Sequence, residues 1–258
     1  MRRARKPNVA AAAEGPVDAV GAIARAVAAA AEDAGSPSNE RSGAHRPPSR
    51  TSLPAVVNYL AHVFLSHETP DAIVGAMLGD FVKGRVIDGW GDDVRAAISL
   101  HRAIDRFTDR HPLTRASRAL VSDERRRFAG ILVDVFYDHF LARHWARFHP
   151  LPLAQFTQTI YRALLPRRTE FPPRLQRVLP WMVRDDWLAS YAHVASVDAA
   201  LHGLARRFRY GERAAGLASG VSELERNYAP LEQNFLAFVP LLRGFAQTRF
   251  GEPRSPIS

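Results

Sequence analysis

The 258-residue sequence predicts an all-α fold in a single domain, and three observations carry that expectation. From Asn58 onward apolar residues recur at helical spacing, with no convincing period-two strand and no hairpin pattern. Helix start and stop signals punctuate this stretch. Hydrophobic residues make up 47% of the chain against 24% charged, enough to bury one sizeable core.

Each helix has its own signal. Thr69-Pro70 pairs a capping hydroxyl with a proline at the first helical position, and predicts a helix reaching about Asp80. Asp92 or Asp93 is the expected cap of a long helix through His101 and Asp105, bent near Pro112, where proline removes a backbone donor. Ser122, followed by Asp123 and Glu124, opens a helix expected to reach about His149 before Pro150 and Pro152 stop it. Shorter helices are expected over 153–165, 173–183 and 196–208. A final helical region over 221–250 is expected to be interrupted by Pro230 and Pro240.

Composition changes sharply near residue 57. Residues 1–56 contain no aromatic side chain, and 35–54 carries four prolines, a linker composition. An Ala-rich helix over 21–33 offers little apolar surface to dock, so this extension is expected to be poorly ordered. Val57-Asn58-Tyr59-Leu60-Ala61-His62 reads as a start in which the valine codon serves as Met; a genuine tail is the other reading. The expected division is an extension over 1–56 and a helical domain over 57–250.

Lys and Arg number 35 against 26 Asp and Glu, a formal charge of +9. That balance favours an acidic partner: nucleic acid, anionic lipid or an acidic protein. Cysteine is absent, which excludes disulfides, thiol nucleophiles and thiolate metal sites, and fits a reducing cytoplasm. Any metal must therefore sit on His, Asp and Glu. No window approaches the roughly 18 apolar residues of a membrane span. Glu14, Asp18 and Arg25 interrupt the stretch behind the basic start, so no secretory signal is expected.

Three features carry the chemistry. His101, Asp105 and Asp109 are spaced i, i+4, i+8, which sets them along one helical face where imidazole and carboxylate can share a divalent ion; a surface hydrogen bond is the plainer account. Asp134 and Asp138 lie one turn apart in an otherwise apolar helix, with His139 rotated by about 100°. Carboxylates buried there need a cation, either an arginine or a metal. His62 and Asp80 stand alone, Asp80 behind a Gly79 that permits close approach; a lone His on an apolar face is commonly a satisfied core residue. Together these side chains offer imidazole and hard oxygen ligands on different helices, a set suited to Mn²⁺, Mg²⁺ or Fe²⁺. Such an ion would activate water for attack on a phosphodiester. No Gly-rich phosphate loop, G-x-S-x-G elbow or H-E-x-x-H helix is present.

Four segments occur in order: Asn58-Tyr59-Leu60-Ala61-His62, Leu78-Gly79-Asp80-Phe81-Val82-Lys83-Gly84, His101-Arg102-Ala103-Ile104-Asp105-Arg106-Phe107-Thr108-Asp109 and Asp138-His139-Phe140-Leu141-Ala142-Arg143-His144-Trp145. Together they resemble the bacterial acyl carrier protein phosphodiesterases. The later Tyr228-Ala229-Pro230-Leu231-Glu232 and Phe235 resemble the C-terminal helix of that family, so the similarity spans about 57–245. The resemblance implies a helical bundle related to the HD phosphohydrolases. It also implies Mn²⁺-dependent hydrolysis of holo-acyl carrier protein to the apo-protein and 4′-phosphopantetheine. This sequence has no His-Asp dipeptide and offers the reversed Asp138-His139, so the HD ligand scheme does not transfer directly. By resemblance His62, Asp80, His101, Asp105, Asp138 and His139 form the metal and catalytic shell, with Asp134 and Asp109 as second choices. Lys83, Arg102 and Arg106 are the expected contacts to substrate, and the acidic carrier is the partner that the positive charge would steer.

Two other functions share the sequence evidence. One is a metal phosphohydrolase of the same scaffold acting on a nucleotide or another small phosphodiester. The other is a basic helical binding protein without catalysis. A nucleic-acid partner is not expected, because the basic residues are spread along the chain and no recognised binding signature occurs.

Overall fold

A computed structural model describes residues 58–82, 89–206 and 212–251, and among them every regular element is helical. The extension, its linker, the helix over 21–33, the start at Val57 and Lys83 lie outside the described residues. The helices run in the order α1 (Tyr59–Phe64), α2 (Pro70–Leu78), α3 (Asp92–Arg110), α4 (Pro112–Ala119), α5 (Ala129–Arg143) and α6 (Leu153–Leu164). They continue as α7 (Pro173–Arg184), α8 (Trp187–Ser190), α9 (Val194–Ala205), α10 (Glu212–Ala218), α11 (Val221–Arg226) and α12 (Tyr228–Gly251).

The architecture is organised around α5, which is apolar on nearly every side. Leu132, Val133, Val135, Phe136 and Phe140 are all fully buried. A helix without a polar face must be surrounded, and α1, α4, α8, α9 and α12 pack against it. The broadest helix pair is α2 on α3. Gly75 makes their close approach possible, because a Cβ there would stand 2.4 Å from the Val94 carbonyl oxygen. No helix among the described residues is long and apolar enough to cross a membrane.

Several expected boundaries move, each for a local reason. Thr69 caps α2 as expected, its hydroxyl accepting from the Ala72 amide. The cap of α3 is Gly91 rather than Asp92 or Asp93, which instead occupy the first turn, where carboxylates favour the helix dipole. Near Pro112 the chain breaks rather than bends. α3 ends at Arg110, and the His111 Nδ1 accepts from the Leu113 amide to start α4. Ser122 caps nothing: its hydroxyl donates to the buried Glu223 carboxylate at 2.6 Å, and a 3₁₀ turn over Asp123–Phe128 precedes α5. α5 then stops at Arg143, short of His149. Neither proline interrupts α12, where Pro230 lies in the first turn and Pro240 is accommodated within the helix. Period-based reading missed the short α1, α8 and α10.

Candidate metal centre

Three neighbouring elements aim side chains at one point. α1 supplies His62, the turn after α2 supplies Asp80, and α3 supplies His101 and Asp105 from successive turns of one face. The His62 and His101 rings are buried and stacked, 3.5 Å apart and 8° from parallel. His62 Nε2 lies 3.1 Å from Asp105 Oδ1. His101 Nε2 lies 3.5 Å from Asp80 Oδ1 and 3.6 Å from Asp105 Oδ2. One ligand atom from each of His62, His101 and Asp105 falls within 4.8 Å of the others.

The hydrogen-bond pattern marks the cluster as one that calls for a positive charge. His101 Nδ1 donates to the Ala76 carbonyl at 2.8 Å, which leaves the Nε2 lone pair facing the two carboxylates. That Nε2, both nitrogens of His62 and Asp80 Oδ2 are buried without a hydrogen-bond partner. Buried polar atoms are normally satisfied, and the His101 Nε2 lone pair facing two carboxylates is repelled unless a proton or a metal stands between them. The imidazole and carboxylate donors present therefore fit a divalent ion of the Mn²⁺, Mg²⁺ or Fe²⁺ type.

Electrostatics agree with the geometry. Burial and the neighbouring His101 lower the His62 pKa below its ordinary value. Burial pulls the same way on His101, but Asp80 and Asp105 outweigh it and raise its pKa. Burial would raise Asp105, yet His62, His101 and Arg106 hold its carboxyl below the usual range. The cluster thus draws in positive charge, as a proton or as a metal.

The structure does not bring Asp138 and His139 into this cluster. Both Asp138 oxygens accept backbone amides from α1, Oδ2 from Leu60 at 3.1 Å and Oδ1 from Ala61 at 3.0 Å. Asn58 opens α1 in the left-handed region with no cap of its own, so Asp138 caps that helix across 78 residues of sequence. Burial pushes its carboxyl pKa up, and the two amides oppose that shift. Asp138 therefore bears on the centre by holding the helix that carries His62. His139 spends both nitrogens elsewhere, on the Tyr191 carbonyl at 2.8 Å and the Tyr228 hydroxyl at 3.0 Å.

The remaining expected residues lie around the centre. Asp109 is exposed and pairs with Arg118 at 2.6 Å. Asp134 lines an apolar groove beside the cluster with Ala61, Ile104, Thr108 and Tyr137, and burial pushes its pKa up to about 7. Arg102 donates to the Val82 carbonyl at 3.0 Å and braces the segment behind Asp80. Arg106 is exposed one residue from Asp105. Sequence reasoning passes over one support of His101 and sees another without its partner. The Ala76 carbonyl leaves no trace in a sequence. Gly79 was noticed for close approach, and the approaching group is the His101 ring: a Cβ there would stand 2.2 Å from its Cγ.

Comparison with known proteins adds a second line of evidence. The sequence profile described as acyl carrier protein phosphodiesterase matches residues 57–242. A Serratia proteamaculans protein of that name is 40% identical over 185 residues, covering 71% of this chain and 94% of its own. A Yersinia pestis protein of the same name is 34% identical over 192 residues, covering 74% and 98%. One from Escherichia coli O157:H7 is 33% identical over 194 residues, covering 75% and 99%. No solved structure matches the chain.

Proposed function

Because the chain belongs to the acyl carrier protein phosphodiesterase family, we propose that it hydrolyses the phosphodiester of holo-acyl carrier protein, releasing 4′-phosphopantetheine and the apo-carrier, with Mn²⁺ or a similar divalent ion at the His62/His101/Asp105 cluster. The observation that carries the metal is the set of buried imidazole nitrogens with no hydrogen-bond partner, pointed toward carboxylates. His62, His101 and Asp105 would hold the ion, with Asp80 at its edge. When bound, such an ion supplies Lewis-acid polarisation of a phosphoryl oxygen and a more acidic water.

The protein's own groups supply the rest. The Ala76 carbonyl keeps the His101 proton on Nδ1, so Nε2 stays available as a donor of electrons. Asp105 is 45% exposed while the two histidines are buried, so substrate approaches from the Asp105 side. Arg106 stands beside that opening and adds positive charge where a phosphodiester must sit. The net charge of +9 suits an acidic carrier and favours fast encounter at low salt. A cytoplasmic setting goes with this reading, and a chain without cysteine fits it.

Incubation of purified protein with Mn²⁺ and holo-carrier, followed by intact-mass spectrometry, tests the proposal. The carrier should lose its prosthetic group, and a chelator should stop the loss. Nucleotide cleavage with intact carrier would transfer the reading to a small phosphodiester substrate. Tight carrier binding without turnover, indifferent to chelator, would leave only a binding protein.

A further inference from the structure

Arg174 occupies the first turn of α7, directly behind Pro172 and Pro173. That is an unfavourable place for a cation, because a helix N-terminus already carries partial positive charge. Its guanidinium carbon lies 5.8 Å from the centroid of the Phe81 ring. Phe81 is itself stacked on Tyr59, with the rings 2° from parallel. Asp80, the residue before Phe81, faces His101 Nε2 at 3.5 Å. α7 thus sets an arginine over the ring that directly follows Asp80, from some 90 residues further along the sequence.

The neighbouring arginines are all engaged. Arg167 pairs with Asp71 and Glu170, Arg168 donates to the Gln176 carbonyl, and Arg184 pairs with Asp185. Arg174 is different. Among the described residues no carboxylate pairs with it, and its Nε, like those of Arg118, Arg125 and Arg177, is buried without a hydrogen-bond partner. The guanidinium has no carboxylate of its own, which leaves its charge available to an anion from outside.

We propose that Arg174 is a phosphate-binding residue whose guanidinium fork takes two non-bridging oxygens of a phosphoryl group seated at the His62/His101/Asp105 cluster. A planar fork matches two phosphate oxygens, and the face contact with Phe81 holds that plane in position before the ligand arrives. The ligand class is a phosphate mono- or diester. Its identity as the carrier's phosphodiester, and the metal at the cluster, rest on the function proposed above; phosphate binding is inferred from the unpaired guanidinium and its contact with Phe81.

The test compares wild type, Arg174→Ala, Arg174→Lys and Arg126→Ala, the last an exposed arginine paired with Asp123 on a different element. Inorganic phosphate and 4′-phosphopantetheine are titrated calorimetrically into the Mn²⁺-loaded protein, and Mn²⁺ affinity is measured separately. Arg174→Ala should weaken both phosphate ligands by about 10- to 100-fold, with Arg174→Lys intermediate because it keeps the charge and loses the fork. Arg126→Ala should match wild type, and Mn²⁺ affinity should be the same in all four. Unchanged phosphate affinity in Arg174→Ala would overturn the assignment. So would a parallel loss of Mn²⁺ binding, which would make Arg174 a structural support of the cluster. Wild type that binds phosphate through Arg174 but leaves holo-carrier intact would retire the proposed substrate and keep the binding site.

Discussion

Replacing Gly79 by alanine isolates the packing that orients His101. Gly79 has φ −50° and ψ −39°, right-handed helical values that alanine adopts readily, so the backbone gives no reason for glycine. Alanine there would favour the end of α2 by up to about 1 kcal/mol. The obstacle is the imidazole. A Cβ at this position falls 2.2 Å from His101 Cγ and 2.4 Å from Nδ1, where ordinary contact begins at 3.4 Å. The ring must therefore retreat by more than about 1 Å, and overpacking of this kind costs roughly 1–3 kcal/mol. Such a shift stretches the 2.8 Å bond from Nδ1 to Ala76 and pulls Nε2 away from Asp80 and Asp105. Loss of a ligand's orienting partner lowers metal affinity by about 10- to 100-fold. We expect Gly79→Ala to lose between nothing and about 3 kcal/mol of stability in urea, depending on how far helix propensity offsets the steric cost. Its Mn²⁺ affinity should fall by the factor above, and turnover should fall with it. A variant that binds Mn²⁺ as tightly as wild type would refute the reasoning, because it would show that the ion does not depend on where that ring stands.

Two further outcomes are expected. Asp138→Ala should destabilise the protein by about 2–4 kcal/mol in urea titration, since it strands two buried amides and removes the cap of α1. Asp138→Asn should also cost stability, because its amide group would face a donor. Wild-type stability in either variant would contradict the capping role. Asp134→Asn should stabilise the protein in a pH-dependent way, measured in chelator. The native carboxyl titrates at about 7 against an ordinary 3.8, so folded protein holds the proton more tightly than unfolded chain. Below about pH 3 both states are protonated and nothing is lost; between about pH 3 and 7 the unfolded chain ionises first and wild-type stability declines. The full shift corresponds to about 4 kcal/mol, and partial solvent access reduces the expected gain to about 1–2 kcal/mol at pH 8. The gain should nearly vanish at about pH 3, and an equal gain at both pH values would exclude titration of Asp134 as its source.

Much of the architecture was legible because helices announce themselves locally. The apolar run 131–141 marked α5 as buried, and Thr69-Pro70 marked the start of α2, since periodicity and capping involve residues only a few positions apart. The i, i+4 pair His101/Asp105 was legible for the same reason, and its two side chains do converge. Their convergence with His62 was not a local fact. It depends on α1 packing against α2 and α5, and α1 is too short to show a period.

The roles of the individual acids and bases were decided only by tertiary structure. Asp134 and Asp138 carry the same one-turn signature as His101 and Asp105, yet one faces a groove and the other caps a helix 78 residues away. Spacing along a helix sets which side chains share a face; what that face meets depends on partners remote in sequence. The sequence by itself determined an all-helical chain, a cysteine-free ligand set and the candidate histidines and carboxylates. Folding decided which of them meet: stacking His62 on His101 sets buried lone pairs facing carboxylates, an arrangement that needs a positive charge.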